Sequence, residues 1–166
     1  MATAIFYASS TGNTELISKE ISKELGDIER IDIADDGVSS IGNYENIILG
    51  VPTWGDGELQ DDWEDEWDKF KEIDFSNKTI ALFGLGDQEG YGENYLDAMG
   101  IVYEHLVDVN ANIVGKWPVS DEYFHDASKA IVDEMFVGLA LDEDNQDDLS
   151  NERISQWCKE IRGEIL

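Results

Sequence analysis

The sequence predicts a doubly wound α/β domain: a five-stranded parallel sheet covered by helices on both faces, with an insertion in the last strand. Three observations carry that expectation. Short, near-continuous apolar runs alternate with amphipathic helical segments, the pattern of a sheet buried on both sides. Loops rich in glycine or hydroxyls follow three of those runs, at 9–14, 52–63 and 86–91. The rhythm breaks once, at Pro118–Gln146, which reads as an excursion inserted into the last strand.

Taken in order, Thr3–Tyr7 is a first strand and Thr14–Leu25 a helix with Leu16, Ile17, Ile21 and Leu25 inward. Ile28–Ile33 is a weaker strand and Asn46–Val51 a strong one. Asp61–Lys71 presents Trp63, Trp67 and Phe70 at i, i+4 and i+7, helical spacing that points to core packing. Thr79–Gly84 is an apolar strand. Asn94–Val109 is a helix with Leu96, Met99, Tyr103 and Leu106 on one face. Asn112–Trp117 is the fifth strand, with Trp117 at its end. The excursion holds a polar stretch, a short amphipathic piece at Ala127–Met135 and a second apolar strand, Phe136–Leu141. Ser150–Glu164 closes the chain as a helix with Ile154, Trp157, Cys158 and Ile161 on one side.

At 166 residues the chain reads as one domain spanning 1–166, with a sizeable core. Its 11 basic and 38 acidic residues give a formal charge of −27, which argues against nucleic acid and anionic membranes. A protein partner would present a basic face. Solubility, or life in high salt, accounts for the charge equally well. The single cysteine, Cys158, excludes an internal disulfide framework and fits a reducing compartment. Met1 leads straight into a strand without the basic and apolar regions of a signal peptide, and no apolar run is long enough to span a membrane. The expected location is cytoplasmic.

The loop Ala8–Thr14 joins a strand to a helix N-terminus, where unpaired N–H groups carry partial positive charge and bind anions without a basic side chain. Gly12 lets the backbone approach closely, and Ser9, Ser10, Thr11 and Thr14 offer hydroxyls. Gly12-Asn13-Thr14 lacks the lysine of a nucleotide-triphosphate loop. Without Lys or Arg, a monoester dianion fits better than a pyrophosphate. The same residues also suit an ordinary helix capped by Ser or Thr. Trp54 and Tyr91 lie on loops at the sheet edge where open α/β folds bind ligands. Neither has an apolar neighbour in its own loop, although loop aromatics often lid a core.

Three loops in this order, Ser9-Ser10-Thr11-Gly12-Asn13-Thr14, Pro52-Thr53-Trp54-Gly55-Asp56-Gly57 and Gly86-Asp87-Gln88-Glu89-Gly90-Tyr91, resemble those of the flavodoxin family. The resemblance covers nearly the whole chain. The insertion and Phe136–Gln146 are similar to its long-chain branch, departing from it at Glu122-Tyr123, where a glycine often precedes the tyrosine. The resemblance implies a flavodoxin-like strand order of 2-1-3-4-5 and non-covalently bound FMN. Ser9, Ser10, Thr11, Asn13 and Thr14 would hold its phosphate, and Thr53 and Asp144 would lie near the ribityl chain. Trp54 would cover one ring face and Tyr91 the other, each stacking contact worth ~1 kcal/mol beyond burial. The backbones of Asp56, Gly57, Asp87 and Asn94 would meet the polar ring edge, with Gly12, Pro52, Gly55 and Gly86 completing the cofactor-binding set.

The implied function is that of a low-potential one-electron carrier moving between semiquinone and hydroquinone, with no catalytic residues and no metal. A flip of the Gly55–Asp56 peptide would accept the proton of the half-reduced ring. The carboxylates of Asp56, Glu58, Asp61, Asp62, Asp87 and Glu89 crowd these loops. One charge about 10 Å from the ring, at an effective dielectric of about 20–40, is worth roughly 0.8–1.7 kcal/mol against further reduction. Implied partners are redox proteins with basic docking faces, such as NADPH-dependent flavin reductases or photosystem I, meeting a monomer.

Other readings meet obstacles in the residues. A phospho-receiver needs an acidic pair after the first strand and an aspartate ending the third; Ser9-Ser10 and Pro52-Thr53 stand there. A calcium loop starting at Asp142 would have Asp147 and Arg153 where glycine and glutamate are required. His105 and His125 read as structural or solvated, and no nucleophile–base pair is visible. A cofactor-free acidic module would have no use for Trp54, Tyr91 and the hydroxyl loop, and a flavoenzyme would need a substrate-side proton donor.

Overall fold

Residues 2–166 are described by the computed structural model; Met1, expected to lead into the first strand, lies outside them. In chain order the elements are β1 (Thr3–Tyr7), α1 (Asn13–Glu24), β2 (Glu29–Asp32), α2 (Ile33–Asp36), β3 (Asn46–Trp54), β4 (Glu58–Leu59), α3 (Asp61–Lys71) and β5 (Thr79–Leu85). There follow α4 (Asp97–Asp108), β6 (Asn112–Val114), β7 (Trp117–Pro118), β8 (Ile131–Val132), β9 (Met135–Phe136), β10 (Leu139–Leu141) and α5 (Asp147–Ile165).

The main sheet runs β2-β1-β3-β5-β10, all parallel, with β6 also on the β5 edge. β1 sets Thr3 opposite Asn46 of β3, and β3 sets Asn46 opposite Thr79 of β5, so the three start level and their carboxyl ends share one edge. The buried faces of these strands are almost wholly Ile, Leu, Val, Phe and Ala, as a sheet covered twice requires. α1 and α5 pack side by side on the sheet. α3 and α4 pack against each other through His105, whose ring centroid lies 5.7 Å from that of Trp67 and 5.8 Å from that of Phe70. Trp63 and Phe70 are fully buried, and the Trp63 indole N–H donates to Gly50 O at 2.9 Å, so the Trp63-Trp67-Phe70 stripe is core.

The fifth strand position is filled by two pieces. β6 pairs with Thr79–Ala81 and β10 with Phe83–Leu85, both parallel. The expected strand Asn112–Trp117 therefore stops at Val114. Gly115 turns the chain away at φ +84, and its carbonyl accepts the Trp157 indole N–H at 2.8 Å. Trp117 joins a separate antiparallel sheet, β7-β9-β8. The expected strand Phe136–Leu141 is likewise divided between the two sheets, crossing at Gly138, which packs on the Leu82 backbone.

Three other expectations are corrected. Leu16 points outward, at 53% exposure, because the helix turns its Ile17–Ile21 stripe to the sheet. The short amphipathic piece expected at Ala127–Met135 is not a single element. It leads into a β8–β9 hairpin whose turn residues Asp133 and Glu134 have φ of 53° and 67°, a geometry of primed hairpin turns. The second strand ends at Asp32, whose side chain caps the short α2 by accepting from Ala34 N at 2.9 Å.

Candidate functional site

The first wall of the site is the loop between β1 and α1. The N-cap of α1 is Gly12, at φ +95, and no side chain caps this end of the helix. The alternative of a Ser or Thr cap is thus not realised, and the first-turn N–H groups remain available. Ser9 Oγ accepts from Gly12 N at 3.0 Å and curls the loop back on itself. Thr14 is buried, while Ser10 and Thr11 are exposed. Gln60, itself 2% exposed, donates to Ser10 Oγ at 2.8 Å and caps α3 through Oε1, which accepts from Asp62 N and Trp63 N. No sequence signal marked Gln60, because glutamine is an uncommon cap.

Trp54 ends β3 and pairs with Glu58 of β4, so Gly55-Asp56-Gly57 is the loop of a tight hairpin. Gly55 and Gly57 both have positive φ, +52 and +93. Gly57 also lies against Asp97, whose Oδ2 a Cβ would meet at 2.8 Å. Asp97 is buried and accepts from Asn94 Nδ2 at 3.0 Å and Lys129 N at 2.7 Å. Thr53 Oγ1 accepts from Ala98 N at 3.0 Å. The hairpin therefore rests on the start of α4.

The third wall follows β5. Asp87 organises its loop: Oδ1 accepts from Gly90 N at 2.8 Å, Glu89 N at 3.0 Å and Asn145 Nδ2 at 2.8 Å, and its carbonyl accepts from Tyr91 N at 3.0 Å. Partial burial pushes the Asp87 carboxyl up, but these donors hold it below the usual range. Glu143 and Asp144, after β10, are raised, foremost by desolvation. For Asp144 the nearby Asp87 and Asp142 add to the rise, whereas the Ser150 hydroxyl, bonded to Glu143, opposes it there. Asp142 is fully buried and accepts from Gln88 and Asn145. Asn145 Nδ2 donates to both Asp87 and Asp142 and so accounts for their approach; the exposed Asp144 joins them, the three carboxylates having oxygens within 4.8 Å of one another.

Between the walls opens a cleft of about 240 Å³. It brings together Ser9, Ser10, Thr11, Asn13 and Thr14 from the first loop, Pro52, Thr53, Trp54 and Gly55 from the second, and Gly86, Asp87 and Tyr91 from the third, with Asp144. Gly12, Asp56, Gly57 and Asn94 do not line it. Leu85 and Glu143 do, and the sequence reading named neither. Trp54 and Tyr91 are 41% and 48% exposed, so neither lids the core. An uncapped helix start with hydroxyls at one end and two open aromatic faces at the other suits an anionic headgroup carrying a flat ring.

The chain matches the flavodoxin family model over residues 5–157. It is 46% identical over 161 residues to a flavodoxin of Synechocystis, covering 95% of this chain and 94% of that protein. It is also 46% identical over 166 residues to flavodoxin 1 of Escherichia coli, covering 98% and 94%. Its backbone resembles that of the Fusobacterium nucleatum flavodoxin bound to flavin mononucleotide, with a TM-score of 0.93 at 36% identity over 99% of each chain.

Proposed function

The chain belongs to the flavodoxin family, and from that premise we infer that it is an electron carrier on non-covalently bound FMN, without a substrate of its own. The observation that carries the reading is the uncapped start of α1 opening into the same cleft as Trp54 and Tyr91. When bound, FMN supplies the capacity to accept electrons one at a time.

The chain's own residues do the rest. First-turn amides of α1 and the hydroxyls of Ser9, Ser10, Thr11 and Thr14 take a dianionic phosphate in a cleft lined by neither Lys nor Arg, and Asn13 joins them. Trp54 and Tyr91 enclose the ring, and Thr53 and Asp144 border the chain between ring and phosphate. Gly55, at φ +52 and without a Cβ, would let its peptide turn so that the carbonyl accepts a hydrogen bond from the edge of the bound ring. Gly57 and Asn94 support the hairpin through Asp97. Asp56, Glu58 and Glu89 oppose added negative charge on the ring and favour strongly reducing behaviour.

The partners are redox proteins with basic docking faces. A formal charge of −27 attracts such faces and opposes self-association, in keeping with a monomer. Among the described residues no helix is long and apolar enough to cross a membrane.

Calorimetric titration of flavin-free protein tests the reading. FMN should bind much more tightly than riboflavin, which lacks the phosphate. Equal affinities would remove the role of the α1 terminus, and no response to FMN would remove the reading itself.

A further inference from the structure

Gln88 lies inside the loop that carries Tyr91, is 3% exposed, and has every hydrogen-bonding position of its side chain engaged. Its Oε1 accepts from Phe124 N at 2.8 Å and His125 N at 3.3 Å, both in the excursion. Its Nε2 donates to Asp142 Oδ2 and to Gln146 Oε1, each at 3.0 Å, beyond β10. Three segments far apart in sequence therefore meet on one amide. On the far side of Tyr91, Gly92 O accepts from Asp126 N at 2.8 Å and Ala127 N at 2.9 Å. The excursion grips the tyrosine loop from both ends.

Asp87 folds this loop internally but sets only part of its position relative to the sheet, through Asn145. Gln88 and Gly92 tie it to the excursion. We propose that Gln88 is a positioning residue: it seats Tyr91 against the flavin, and through it the excursion holds that wall of the cleft. A buried amide satisfied on all sides allows one loop position, because displacement strands several buried polar groups at once. This role rests on the FMN reading above.

A double-mutant cycle on FMN affinity tests it. Gln88→Met keeps the length of the side chain and removes its bonds. It should weaken FMN binding about tenfold when Tyr91 is present and hardly at all in a Tyr91→Ala background, since the two residues act as one unit. Equal losses in both backgrounds would overturn the role. Thr3→Val, which removes the bond to the Ile165 carbonyl (2.8 Å) at the opposite end of the sheet, serves as the control for stability, because it should lower the melting temperature without the coupling. Hydrogen exchange on the unaltered protein decides the matter if Gln88→Met does not fold. FMN should then protect the Phe124 and His125 amides as well as those of residues 89–91. Protection confined to 89–91 would refute the positioning role alone, whereas absence of FMN binding by the unaltered protein would refute the site reading as well.

Discussion

The hydroxyl of Thr53, at the end of β3, accepts the N–H of Ala98 in the first turn of α4 at 3.0 Å, capping a helix to which it does not belong. The helix has no cap of its own, since Leu96 stands there at φ +59. Thr53→Val should therefore cost about 1 kcal/mol of stability, and Thr53→Ser much less. Urea unfolding measures both. Equal losses for the two variants would remove the hydroxyl from the account.

Gly12 and Gly57 share a positive φ, but their surroundings differ. A Cβ on Gly12 meets nothing within 4 Å, while one on Gly57 meets Asp97 Oδ2 at 2.8 Å. Gly12→Ala should cost about 1 kcal/mol from backbone strain alone. Gly57→Ala adds overlap and should cost roughly 2–4 kcal/mol in total. The order of the two unfolding midpoints is the check, and a reversed order would contradict the packing described.

Gly55 has room for a side chain, with Glu58 Cδ at an ordinary 3.6 Å, so a substitution there acts through φ +52. Gly55→Val should shift the potential of the first one-electron step, downward by roughly 40–90 mV where the left-handed penalty of about 1–2 kcal/mol falls on the half-reduced form alone. Potentiometric titration reads it directly. An unchanged yield of half-reduced flavin would exclude a turning peptide.

Burial holds His105 below the ordinary imidazole range, with Asp108 opposing and Lys71 assisting, and its Nε2 is buried without a partner. The unfolded chain therefore takes up protons at this site more readily than the folded one. The contribution is full above the ordinary value of about 6.5 and is lost as pH falls through it toward the folded value. His105→Phe should remove that component, so the difference in melting temperature between the variant and the unaltered protein should widen in the variant's favour from about pH 7.5 to about pH 5.5. His125 shifts in the same direction and is common to both proteins. A constant difference would place His105 in water.

The 38 acidic residues repel one another across a small body. Added salt shortens the screening length to about 8–10 Å near physiological strength, so the melting temperature should climb between about 0.01 and 0.5 M sodium chloride. Electron-transfer rates to a basic partner should fall over the same range. A flat rate profile would argue that the charge serves solubility alone.

Much of this was legible beforehand, and the exceptions share a cause. Strands Thr3–Tyr7 and Thr79–Leu85 announced themselves because a twice-covered strand must be apolar throughout. The three loops were visible because glycines, hydroxyls and lone aromatics follow those strands. The β4 hairpin was not visible, since two residues carry no periodicity. Nor was the break at Gly115, which depends on a Trp157 indole arriving from 42 positions away. Gln60 and Gln88 look like ordinary loop polar residues, and only tertiary neighbours such as Asp142, 54 positions from Gln88, bury them.

Val114 stands opposite Ala81 and Leu139 opposite Phe83, which leaves a single rung, Leu82, between the departing and returning chain. Residues 115–138 thus form a graft spliced through one gap in the ladder. Such a graft can lengthen, shorten or be exchanged without re-registering any neighbouring strand. Descendants of this scaffold can remodel that excursion while the chromophore cradle keeps its frame, provided that something still answers Gln88.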